Sequence, residues 1–72
     1  MKMFDYAMLT RLLEANINPK ATKMLYVCDN KLEKKRFIRY NQDLKDAIVL
    51  TIDDVWVKNK IFNIDYKDYR II

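Results

Sequence analysis

Apolar residues change their spacing along this chain, and each change predicts a different element. From Met1 to Asn16 they recur at helical intervals. Phe4, Met8, Leu12 and Ala15 form the stripe, Leu9 and Leu13 widen it, and Thr10, Arg11 and Glu14 lie opposite. Ala, Leu, Met, Glu and Arg are good helix formers, and no β-branched run interrupts them. Asn16-Ile17-Asn18-Pro19 ends this helix, because proline cannot continue it and biases Asn18 towards an extended backbone.

Beyond the proline the pattern suits strands. Thr22 to Cys28 predicts a first strand, with turn residues at Asp29-Asn30-Lys31. Lys34 to Tyr40 returns as a second, centred on Phe37 and Ile38, and Asn41 to Asp46 is a polar connection with room for one helical turn begun at Asn41 or Asp43. The most apolar and most β-branched stretch follows, from Ala47 to Val57. Its two runs meet at Asp53-Asp54, which reads as a central hairpin. Ala47 to Leu50 is apolar at every position, as suits a strand covered on both faces or a short buried helical turn. A second turn is expected near Asn59-Lys60, then Ile61 to Ile64, with Asp65 to Ile72 as an edge strand or loose end.

Together these elements predict an α+β fold, with the N-terminal helix packed on a small antiparallel sheet of three to four strands. A helix through Leu32, Arg36, Tyr40, Leu44, Ala47 and Ile48 is the competing reading of 31–50. It mixes cations into a buried stripe, so strand-turn-strand is preferred.

At 72 residues the chain has room for one domain, 1–72, and one core. A domain this short buries only about 60% of the surface it exposes when unfolded. A second copy would add burial, so a homodimer is expected. Hydrophobic residues make up 51% and charged residues 33%, which is the balance of a globular protein. No apolar run approaches the ~20 residues that span a bilayer. Met1-Lys2-Met3-Phe4-Asp5 lacks a secretory apolar core, and the single cysteine, Cys28, cannot form an internal disulfide. A cytoplasmic location is expected.

What the composition lacks narrows the chemistry. There is no histidine, serine or glycine. Ser-His-Asp and Cys-His constellations are therefore excluded, as are phosphate-cradling glycine loops, and one cysteine with no histidine leaves no zinc set. No enzyme activity, metal or cofactor is expected. The pairs Asp43/Asp46, Asp53/Asp54 and Asp65/Asp68 match no calcium-loop spacing and read as turn and cap chemistry.

The net charge is +4, and its excess is concentrated. Residues 21–42 carry six cations against two anions, while 43–72 carry five against six. Read as a strand, Lys35, Phe37 and Arg39 share one face, and Lys34, Arg36, Ile38 and Tyr40 the other. Cations beside rings on a strand suit single-stranded nucleic acid, or an acidic protein surface. The candidate binding residues are therefore Lys34, Lys35, Arg36, Phe37, Arg39 and Tyr40, with Trp56 as a candidate interface anchor. Cys28 reads as a small buried hydrophobe. Two function classes follow. The favoured one is an inhibitor or adaptor that contacts a host or cognate protein, because a dedicated nucleic-acid binder of this size would carry more charge. The other is a nucleic-acid-binding accessory or regulator acting through 31–40. Usage rich in Lys, Asn, Ile and Tyr fits an AT-rich genome such as that of a phage or mobile element.

Overall fold

The computed structural model describes residues 6–58 and 60–72. The elements are α1 (Tyr6–Ala15), β1 (Met24–Cys28), α2 (Lys31–Tyr40), β2 (Ala47–Thr51), α3 (Ile52–Lys58), a 3-10 helix (Lys60–Asn63) and β3 (Asp68–Ile71). The strands form one three-stranded sheet in the order β2-β1-β3, and β1 runs parallel to both neighbours.

The chain thus mixes helices with a three-stranded sheet, but the antiparallel sheet under a single N-terminal helix is not what forms. Parallel neighbours cannot be joined by a tight turn and need a crossover, usually helical. Here α2 supplies the crossover from β1 to β2, and α3 with the 3-10 helix supplies that from β2 to β3. The second strand expected at Lys34–Tyr40 is therefore helix. The expected hairpin at Asp53-Asp54 is instead the entry to α3, and the sheet's centre is β1 rather than Ala47–Leu50. The tail does add a strand, β3, at the sheet edge. Phe4 and the expected turn residue Asn59 lie outside the described residues.

Local chemistry explains both helix starts. Asn30 is extended (φ −151°), and its side-chain oxygen accepts from the Glu33 N–H at 3.0 Å. That bond satisfies one donor a helix start leaves open. At α3 the cap is reciprocal. Thr51 Oγ1 accepts from Asp54 N–H at 3.1 Å, and Asp54 Oδ2 accepts from Thr51 N–H at 3.2 Å. Burial alone would raise the Asp54 carboxyl, but its bonds to Thr51 and the fields of Lys60 and Lys34 outweigh it and hold it below the usual carboxylate range. Thr51→Ala is expected to cost about 1–2 kcal/mol as a lost cap, and Asp53→Ala, on an exposed side chain, under about 0.5. Urea unfolding of the two variants checks this; a hairpin turn at Asp53-Asp54 would reverse the order.

The strands' side chains alternate between two faces. Leu25 and Val27 of β1 with Leu50 of β2 join Leu9 and Leu13 of α1, Ile52 and Val55 around the start of α3, and Ile61 and Tyr66 in one buried cluster. Within α1 the buried positions are Leu9 and Leu13; Met8, expected on the apolar stripe, is 55% exposed. The Tyr66 hydroxyl donates to the Leu13 carbonyl near the end of α1, where carbonyls run out of helical partners. Asn16 Nδ2 donates to Leu12 O at 2.7 Å and closes that end before Pro19. The opposite sheet face, with Met24, Tyr26 and Cys28, lies under α2, where the Tyr26 and Phe37 rings stand 4.8 Å apart.

Candidate binding surface

α2 buries none of its ten residues, so it is a surface element held by one flank. Phe37, Lys34 and Asn41 are its half-buried positions and follow the helical period towards the sheet. Lys31, Lys35 and Arg39 then form a solvent-facing row, each four residues from the next. Leu32, Arg36 and Tyr40 form the adjoining row. Tyr40 is 79% exposed and Leu32 57%.

The helix splits the candidate residues that a strand would have grouped. Lys35 and Arg39 stay together on the solvent side. Arg36 is exposed and donates to Glu33 Oε1 at 3.1 Å, an exposed pair too weakly held to withdraw it from other partners. Phe37 leaves the basic face and packs at a tilt against Tyr26. Lys34 turns inward, close enough to Cys28 and Asp54 for its charge to lower both their pKa values. Burial nonetheless pushes the Cys28 thiol up, so this cysteine is a packed apolar group rather than a ready thiolate. Trp56 is half-buried against the core, and among the described residues its Nε1 is a buried side-chain donor without a partner.

Two shallow grooves flank α2. One, of about 330 Å³, is lined by Cys28, Glu33, Arg36, Phe37, Tyr40, Asn41 and Ile72. The other, of about 310 Å³, runs between α2 and the outer edge of β2 and includes Phe37, Ile38, Leu44, Ala47 and Val49. Among the described residues, no three His, Cys, Asp or Glu side chains come together as a metal would need, and no helix is long and apolar enough to cross a membrane.

Compared with family models, curated proteins and solved structures, the chain matches none.

Lys31, Leu32 and Ile72 belong to this surface and were not among the sequence candidates. A signal for the first two was present: Asn30-Lys31-Leu32-Glu33 carries a cap residue with Glu three places on, which marks a helix start and brings residues 31, 35 and 39 into register. Ile72 had no such signal. It reaches the groove only because β3 pairs beside β1, carrying Ile72 N–H to the Val27 carbonyl at 2.9 Å.

Proposed function

We propose that this protein is a non-catalytic cytoplasmic binding module of inhibitor or adaptor type, of the kind phages and mobile elements carry. It docks the outer side of α2 on an acidic protein surface. One observation carries the reading: Leu32 and Tyr40 stand exposed in one row with Arg36, beside the solvent-facing row of Lys31, Lys35 and Arg39. Nucleic acid rewards the cations through its phosphates and Tyr40 through stacking, but leaves Leu32 without a role. A protein surface rewards the apolar pair as well as the cations, since an apolar anchor drives affinity while a cationic rim steers association and selects an acidic partner. The groove between Tyr40 and Ile72 would take the anchor.

The unbroken row Lys31, Lys35, Arg39 favours a second reading, contact with nucleic-acid backbone. Affinity capture from a lysate of the source cells, with and without nuclease, separates the two when Lys35→Glu/Arg39→Glu is run in parallel. The expected result is a protein that survives nuclease and is lost with the variant, its affinity falling about tenfold or more through slower association. Labelled single strands titrated at several salt concentrations supply the opposing test. Micromolar binding at physiological salt, with a log–log slope near −0.7 per contact and lost in Arg36→Ala/Arg39→Ala, would overturn the protein reading.

A further inference from the structure

The two edges of the sheet are built differently. On β3 the side chains alternate exposed and half-buried, Asp68 and Arg70 are exposed, and the Asp68 carboxylate accepts from the Tyr69 N–H at 2.8 Å. Charged side chains and an occupied N–H are how proteins close an edge to further strands. β2 is less protected: Ala47-Ile48-Val49-Leu50-Thr51 carries no charge. The bond from Met24 N–H to the Asp46 carbonyl aims residues 46, 48 and 50 at β1, so the main chain of Ala47, Val49 and Thr51 points outward. Among the described residues only Thr51 N–H is capped, by Asp54. Ala47, Ile48 and Val49 are half-buried, neither core nor surface, and Ile38 and Leu44 stand exposed over the groove alongside.

We infer that β2 pairs antiparallel with β2 of a second copy, making one six-stranded sheet across a two-fold axis at Val49. The two Val49 residues exchange N–H···O=C bonds, and each Ala47 N–H reaches the Thr51 carbonyl of the second copy. This register is self-complementary in charge. It brings Lys45, just before the strand, towards Asp53, just after it, on both sides of the axis. It also fits the helices. α2 lies over β1 and β2, so strand spacing sets the two α2 axes about 10 Å apart, the distance at which helices pack. Phe37 packs against Tyr26, which is level with Val49, and Ile38 shares a groove with Ala47 and Val49, so Ile38 falls near the axis and fills the seam with its counterpart.

Sedimentation of the full chain at about 1–100 µM tests this independently of any α2 ligand. The expected species has twice the 8.8 kDa chain mass. Ile38→Glu should raise the dimer dissociation constant about tenfold or more, and because Ile38 is 47% exposed in the protomer, circular dichroism should show the fold retained. Lys45→Glu should weaken the dimer several-fold, and adding Asp53→Lys should restore it. A chain that stays at 8.8 kDa throughout overturns the dimer. A dimer indifferent to Ile38→Glu and to the charge exchange overturns the β2 pairing.

Discussion

Tyr66→Ala is expected to leave the chain largely unfolded at room temperature. Tyr66 is the largest of the fully buried side chains, in the cluster that joins α1, the sheet and the 3-10 helix. Truncating a buried aromatic to alanine costs about 3–5 kcal/mol in lost transfer and cavity terms, and the missing bond to the Leu13 carbonyl adds about 1. A domain of 72 residues has roughly 4–10 kcal/mol in all. The loss therefore removes most of the stability, and the far-ultraviolet helical signal with it.

Tyr66→Phe isolates the hydroxyl. At neutral pH it should cost about 1 kcal/mol, because one bond to the Leu13 carbonyl disappears. Alkali should reverse that ranking. Burial first, and Tyr69 second, push the Tyr66 phenol from 10.0 up to about 12. The folded state therefore holds this proton more tightly than the unfolded chain. The stability linked to the proton is complete below pH 10 and falls by about 1.4 kcal/mol per pH unit between 10 and 12. The phenylalanine variant has no such proton to lose. Urea midpoints of the two proteins should converge and cross above pH 10, and parallel curves would mean that the phenol is not buried as described.

Leu25→Ala should cost about 3–5 kcal/mol, the upper part of the range for a buried leucine. Leu25 is fully buried on the central strand, with β2 on one side and β3 on the other, so neighbouring backbones cannot collapse into the cavity. Leu12→Ala, on the half-buried side of α1, should cost about 1–2, and Val49→Ala on the edge strand about 1. Chemical denaturation of the three orders them. If Val49→Ala proved the most damaging, β2 rather than β1 would hold the centre of the sheet.

Part of this fold was legible from residue order. The first helix, its stop before Pro19, the strand ending at Cys28 and the strand at Ala47–Thr51 all appear where local pattern puts them. Their local causes are strong: helical periodicity, a proline, and β-branched runs. The helix at 31–40 is masked in the sequence by its cations. Cations in a buried stripe weigh against a helix, yet α2 buries none of its residues and needs only Phe37, with Lys34 and Asn41 half-covered, to seat on the sheet. The capping signatures at Asn30-x-x-Glu33 and Thr51-x-x-Asp54 lay within reach of sequence reading and outweigh that objection.

By itself, then, the sequence determined what acts within a few residues: which segments are apolar, where helices can start and stop, and where the positive charge is concentrated. The same order of residues also excluded the usual catalytic constellations built on histidine, serine or glycine. Strand direction and neighbour choice were decided only by tertiary structure. An apolar run such as Ala47–Leu50 suits any doubly covered strand, and β1's two neighbours lie roughly twenty and forty residues along the chain. Direction follows from what must cross between strands: a two-residue turn returns the chain antiparallel, whereas a helix carries it back to start again in parallel. With α2 and α3 as the connections, β2 and β3 join β1 in parallel. That step divides the basic segment into an outward row and an inward phenylalanine, and leaves β2 as the less protected edge.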